Sequence, residues 1–243
     1  MHESSCVDVQ IRYARIAGFV YLLLIALYMG GQFLIGHVVG TGDFARRLAH
    51  IVEGQAVYRA GLVLQLLASV FTVLLAYALY VVVRPVNGHI ARLALYFRLG
   101  EAFGGVTSFI SFATLSLQSN PQYLQSLGMT QLETMVGLVK SVDFVSFNTA
   151  TLFFSFGSIL FFYLFAQTRY IPRVLSVLGV FASVVTLLTS VGNLVFPAHA
   201  DMLQFGWVPI FLAEISTGIW LLVRGVRIDP LSTSGVASAI RTA

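Results

Sequence analysis

The chain has 243 residues, of which 58% are hydrophobic and only 10% are charged, and its mean hydropathy is +0.87. Such a chain cannot bury its apolar surface in one soluble core, so we expect the lipid bilayer to be its solvent. The formal charge of +4 does not indicate a nucleic-acid partner, because the basic residues lie singly at the ends of apolar runs. The single cysteine, Cys6, excludes an internal disulfide and a thiolate metal site.

Six apolar runs are long enough to cross about 30 Å of hydrocarbon. They lack the alternating polarity of barrel strands, so we predict an all-α, polytopic membrane protein with six transmembrane helices. The predicted layout is an N-terminal segment at 1–12, a transmembrane domain at 13–224 and a disordered Ser/Thr/Ala-rich tail at 225–243. The predicted spans are Ala14–Val39, Val57–Val83, Ile90–Leu117, Val142–Ala166, Pro172–Phe196 and Gly206–Val223.

The basic residues of the loops predict the orientation. One side carries nine of them and the other four, diluted by acidic residues, so the first side is predicted to be cytoplasmic, with both termini there. The nine are Arg12, Arg15, Arg84, Arg92, Arg169, Arg173, Arg224, Arg227 and Arg241, and the four are Arg46, Arg47, Arg59 and Lys140. The longer loops of the second side, 40–56 and 118–141, are candidates for interfacial helices.

Three ionisable residues lie well inside the predicted spans, away from their ends: Arg98 and Glu101 in the third, and Glu214 in the sixth. At 1.5 Å per residue, both glutamates lie about 13 to 15 Å from the cytoplasmic end, near the midplane. Arg98 and Glu101 are three residues apart and share a helix face. Because charges in hydrocarbon cost about 3 kcal/mol or more each, we expect one cluster holding a single shared proton. This cluster is either a functional site or a structural contact that holds two helices together.

Small polar residues recur every three or four positions along the fourth and fifth spans, as in close helix packing. The alternative concerns the polar residues nearest the non-cytoplasmic end. Together with residues of other spans, they would line an outward-opening vestibule above the glutamates. This predicted vestibule consists of Gln32, Arg59, Gln65, Ser111, Asp143, Asn148, Ser190 and Asn193.

Two sequence matches suggest an inverted repeat of three plus three helices. An offset of 114 aligns span 2 with span 5, placing Arg59 on Arg173 and Ser69 on Ser183. At nearly the same offset, the Leu-Gly-Glu sequence ending at Glu101 resembles the Leu-Ala-Glu sequence ending at Glu214. Three spans per unit would give the two copies opposite orientations. Chance similarity between apolar sequences is the alternative.

Common catalytic signatures are missing from the sequence. It has no HExxH, GxSxG or phosphate-binding glycine loop, no histidine in the middle of a predicted span and no cysteine pair. We therefore predict no catalytic residue, metal ligand or cofactor, and an enzyme is the less favoured class.

Several local sequences together resemble a known family. They are the turn Arg84-Pro85-Val86-Asn87, the segment Phe97-Arg98-x-x-Glu101-Ala102, the turn Arg169-Tyr170-Ile171-Pro172-Arg173 and Glu214-x-x-x-Gly218-x-Trp220. Over about 15–227 the chain resembles an uncharacterised bacterial family of multi-pass membrane proteins, the domain of unknown function 4386. The resemblance implies six spans and a location in the bacterial inner membrane, and it implies no substrate or cofactor.

Three functions fit these features. The first is a carrier for a small molecule or an ion, which would use the mid-membrane acids. The second is a non-catalytic membrane subunit or regulator, and the third is an intramembrane enzyme with a site at the outer face. Besides lipid, the expected partner is a small-molecule or ionic ligand, and the sequence does not indicate an oligomeric state.

Overall fold

The computed structural model describes residues 2–104 and 106–227, with side chains at 7–104 and 109–227. Most of these residues are helical, and no strand occurs among them. Two 3₁₀ turns, Pro197–His199 and Gln204–Trp207, flank α9. The helices are α1 (His2–Val39), α2 (Phe44–Glu53), α3 (Gln55–Val83), α4 (Gly88–Phe103), α5 (Val106–Ser119), α6 (Pro121–Ser126), α7 (Met129–Thr168), α8 (Arg173–Val195), α9 (Ala200–Leu203) and α10 (Val208–Arg224).

Among the described residues, five helical segments are long and apolar enough to span a membrane. This agrees with an all-helical membrane protein. The five segments are Val7–Val39, Gln55–Val83, Met129–Thr168, Arg173–Val195 and Pro197–Arg224.

The third predicted span, Ile90–Leu117, is not one helix. It is divided between α4 and α5 at Gly104, whose N–H donates to the carbonyl of Glu101 over 2.8 Å. A methyl group at Gly104 would overlap the side chain of Ala150 on α7. The glycine therefore permits α4 and α7 to approach closely where the chain bends.

The fourth predicted span also differs from its helix. Whereas Val142–Ala166 was predicted, α7 has 40 residues and begins at Met129. Its first turns are held by a small separate core, in which Leu132 and Val136 pack with Leu48 of α2 and with Leu124. The N-terminal segment likewise belongs to the first helix, because α1 begins at His2. Of the predicted tail, 228–243 lie outside the described residues.

Side-chain caps account for several helix starts. Asn87 begins α4, and its side chain accepts hydrogen bonds from the backbone N–H groups of His89 and Ile90. Asp43 and Asn120 cap α2 and α6 in the same way. Such caps satisfy backbone donors that have no partner within the first turn of a helix.

The long helices form a closed ring. In the order α1, α3, α4, α7, α8 and α10, each helix packs on the next, and α10 packs on α1. We call one end of the ring the basic end, where the turns at 84–87 and 169–172 lie. We call the other the loop end, where α2, α6 and α9 lie. The ring is filled near the basic end by a hydrophobic core that includes Leu79, Val82, Phe161, Phe165 and Leu221.

Candidate functional site

A cavity of about 710 Å³ occupies the ring above this core. Its deep wall includes Leu75 and Glu214, and its wall toward the loop end includes Gln32, Lys140 and Gln204. The lining comes from α1, α3, α4, α5, α7 and α10, with additions from the segment before α10. The cavity is thus closed by packed side chains on the basic side and extends toward the loop end.

An ion pair lies in the cavity wall on α4. Arg98 Nη1 is 3.0 Å from Glu101 Oε2, and the spacing of three residues puts both side chains on one face. The side chain of Arg98 is 2% exposed and that of Glu101 is 20% exposed. A guanidinium buried this deeply requires a counter-charge, which Glu101 supplies.

Helix α7 holds the guanidinium in position. Arg98 Nη1 donates to Ser158 Oγ over 3.4 Å, and the guanidinium carbon lies 4.7 Å from the centre of the Phe154 ring. A methyl group at Gly157 would come within 2.9 Å of Arg98 Cγ. Glycine at this position therefore leaves room for the arginine stem, while Ser158 and Phe154 orient its charged end.

Glu214 reaches the same cavity from α10. Its Oε1 is buried and has no hydrogen-bond partner, and neither carboxylate oxygen forms an ion pair, within the part of the chain that the structure describes. It lies close enough to Arg98 and Glu101 for their charges to interact. The three ionisable residues singled out from the sequence thus line one cavity, but only two of them are in direct contact.

Close packing of α1 on α10 brings Tyr21 to this site. A methyl group at Gly18 would overlap the backbone of α10, and one at Gly218 would come within 3.1 Å of Tyr21 Cβ. Tyr21 is 3% exposed, lines the cavity and lies within electrostatic range of Glu214. The sequence analysis did not select Tyr21. Its position inside a predicted span could have identified it, because the tyrosines of membrane proteins concentrate at the membrane–water interfaces.

The predicted vestibule residues occupy different places. Gln32, Gln65, Ser111 and Asp143 line the cavity. Arg59 is exposed on α3 and is not part of the lining. The remaining three, Asn148, Ser190 and Asn193, are buried away from the cavity lining, and Asn193 Nδ2 donates to Asn148 Oδ1 over 3.0 Å. Lys140 and Gln204 also line the cavity near the loop end and were not predicted.

The small polar stripe of α8 packs against α7. Ser183 and Thr186 are completely buried and donate to carbonyls of their own helix, those of Gly179 and Ala182. Ser155 on α7 does the same. A methyl group at Gly179 would overlap the ring of Phe162. These residues make the tight α7–α8 contact that small residues favour in membranes.

The described residues contain no group of three or more His, Cys, Asp or Glu side chains that could hold a metal ion. The charged side chains of the cavity wall are Arg98, Glu101 and Glu214 in its deep part, with Lys140 and Asp143 toward the loop end, and the rest of the lining is neutral.

Comparison with known proteins identifies a family. A family model described as a domain of unknown function, DUF4386, matches residues 16–225. No curated protein and no solved structure matches the chain. Because the match covers most of its length, the chain belongs to the DUF4386 family of proteins of unknown function.

Proposed function

We propose that the protein is a carrier for a small molecule or an ion, and that its transport is coupled to protonation of Glu101 and Glu214. The observation that supports this most strongly is the cavity of about 710 Å³ that has both carboxyls in its wall. Ionisable residues inside membrane spans commonly mark substrate or proton pathways. A protein whose mid-span charges served only to join helices would have little reason to keep a cavity beside them.

The proposal includes six spans, α4 and α5 together forming the third. It also includes a bacterial inner-membrane location with the basic end in the cytoplasm, since this end carries exposed arginines on α1, the two turns and α10. The cavity would then open to the outside. In intact cells, an impermeant thiol reagent should label single cysteines placed in 118–127 and leave those in 84–89 unlabelled. The reverse result would contradict this orientation.

We further propose that helices 1 to 3 and 4 to 6 of this six-span arrangement are inverted repeats. The ring order is compatible with this, because moving every span by three positions around the ring reproduces the six neighbouring pairs. Any closed up-and-down ring shares that property. The additional support is that Glu101 and Glu214, which the sequence repeat relates, line the same cavity. Inverted repeats of this kind often enclose the substrate site of a carrier.

The test is a flux measurement in proteoliposomes that contain a pH-sensitive dye. Gradients of organic cations, organic anions and neutral solutes should be applied in turn, and at least one class should drive proton movement. That movement should fall at least tenfold in Glu101→Gln and Glu214→Gln and remain in Glu133→Gln, which removes an exposed carboxyl of α7 outside the cavity. Full flux in both cavity variants would contradict the proposal. Absence of flux together with a stoichiometric protein partner would favour a membrane subunit or regulator.

A further inference from the structure

We propose that the cavity binds organic monocations, with the carboxylate of Glu214 as their counter-charge and aromatic side chains as their walls. This rests on the carrier function proposed above and names the class of its substrate.

The pairing of charges in the cavity selects a positive ligand. The guanidinium of Arg98 already has a carboxylate at 3.0 Å, a hydroxyl at Ser158 and the ring of Phe154. Glu214 has no such partner among the described residues, and its Oε1 is buried without a hydrogen bond. A carboxylate in a low-dielectric site must be compensated by a proton or by a cation. Protons and cationic ligands would therefore compete for Glu214.

The walls fit an organic cation better than a metal ion. Aromatic rings attract cations through the negative charge of their faces, and one ring of this cavity, Phe154, already carries the Arg98 guanidinium. Further aromatic side chains line the same cavity as Glu214: Tyr21, Tyr28, Phe144, Phe147, Trp207 and Phe211. A metal ion of the calcium type would need six or more oxygen ligands, and no cluster of three acidic or histidine side chains occurs in the described chain.

The size of the cavity is also appropriate. Pockets for small organic molecules range from about 300 to 1,000 Å³, and this one is about 710 Å³. An anionic ligand would find less suitable charges. Arg98 is almost fully buried and engaged with Glu101, while Lys140 lies toward the loop end with Asp143 three residues further along α7.

The chain provides a matched pair of aromatic variants, because it has two tryptophans. Trp207 lines the cavity and contacts Phe147, with 5.5 Å between ring centres. Trp220 lies outside the lining, and its ring carries the guanidinium of Arg227 at 5.1 Å. Trp207→Leu should therefore weaken binding of a cationic ligand, and Trp220→Leu should not.

The experiment is equilibrium dialysis of the purified full chain, in an uncharged detergent, with radiolabelled tetraphenylphosphonium. Tetraphenylborate has nearly the same shape and the opposite charge, and is the control. We expect saturable binding of the phosphonium, at least tenfold weaker binding of the borate, and at least tenfold weaker phosphonium binding in Glu214→Gln. Trp207→Leu should weaken phosphonium binding about fivefold. Glu133→Gln and Trp220→Leu should bind the phosphonium as tightly as the wild-type protein.

Equal or tighter binding of the borate by the wild-type protein would overturn the proposal, and so would absence of saturable phosphonium binding. Both results concern the wild-type protein, so they stand even if a variant fails to fold. Neither would refute a carrier of another substrate, which the proteoliposome assay tests. Conversely, phosphonium binding without flux would support the cation site and contradict the carrier function.

Discussion

The α7–α8 contact and the cavity wall both contain polar side chains within the ring of long helices, but the hydrogen bonds and charges of these side chains are satisfied differently. In the contact, Ser155, Ser183 and Thr186 donate to carbonyls of their own helices and are almost completely buried. In the cavity wall, Arg98 and Glu101 pair across one helix face, and Glu214 faces the cavity with an oxygen that lacks a partner in the described chain.

The difference separates packing from ligand binding. A hydroxyl that bonds to its own backbone needs nothing from outside and lets two helices approach closely. A carboxyl without a partner is stable in the membrane only with a proton or a ligand. A stripe of small polar residues is therefore weak evidence for a site, whereas an unpaired acid beside a cavity is strong evidence.

The largest effect should come from removing the buried cation. Arg98→Met keeps much of the side-chain volume but leaves Glu101 without its partner, so we expect a loss of about 3–5 kcal/mol in the free energy of unfolding. Adding Glu101→Gln removes the unpaired charge and should restore most of the loss. Denaturant unfolding in detergent measures both, with Arg59→Met, an exposed arginine, as control. A double variant no more stable than Arg98→Met would contradict the ion pair as the cause.

The two acids should be coupled through Arg98. Either Glu101→Gln or Glu214→Gln leaves one carboxylate to balance the guanidinium, but the combination leaves none. The double variant should therefore be less stable than the sum of the single effects by about 1–3 kcal/mol, the range for residues in one network. Denaturant unfolding of the wild-type protein, the two single variants and the double variant measures this coupling energy. Strict additivity would show that Glu214 does not share the charge of Arg98.

The α7–α8 contact should respond to volume instead of charge. Gly179→Ala forces a methyl group onto the ring of Phe162, and overpacking of this kind costs about 1–3 kcal/mol. Gly36 on α1 is a matched control, because a methyl group there would have no neighbour within 4 Å. Gly36→Ala should be neutral or slightly stabilising. If Gly179→Ala were equally harmless, the two helices would not be in tight contact.

The smallest effect should belong to the hydrogen bond between the two asparagines. Asn193→Ala removes the donor to Asn148, and such interhelical bonds contribute about 0.6 to 2 kcal/mol in membranes. A double-variant cycle with Asn148→Ala isolates this energy, with transport or binding as the second readout. Loss of phosphonium binding beyond the loss of stability would show that these residues serve the cavity directly.

The sequence predicted the helical class and singled out Arg98, Glu101 and Glu214, which the structure places in one cavity wall, because charges inside apolar runs are easily recognised. It did not predict the placement of Asn148, Ser190 and Asn193, since counting residues gives the depth of a side chain but not the helix that it faces. The start of α7 at Met129 was missed for a different reason. Its first turns are polar and are held by α2 and α6, which hydropathy does not reveal.

The break between α4 and α5 also depends on a tertiary contact. Gly104 lies against Ala150 of a helix far away in the sequence, and the apolar run alone gives no reason to divide the span there. Tyr21 is a similar case, because its place beside Glu214 follows from the glycines that join α1 to α10.

The cavity should be open to water from the loop end, whereas the α7–α8 contact should be dry. Single cysteines in a Cys6→Ser background test it, with an impermeant charged thiol reagent added to the outside of intact cells. Ser69→Cys and Ser111→Cys lie in the cavity wall, and Ser155→Cys and Ser183→Cys are controls buried outside it. We predict rapid labelling of the first two and none of the controls. Equal labelling of all four, or of none, would contradict the account.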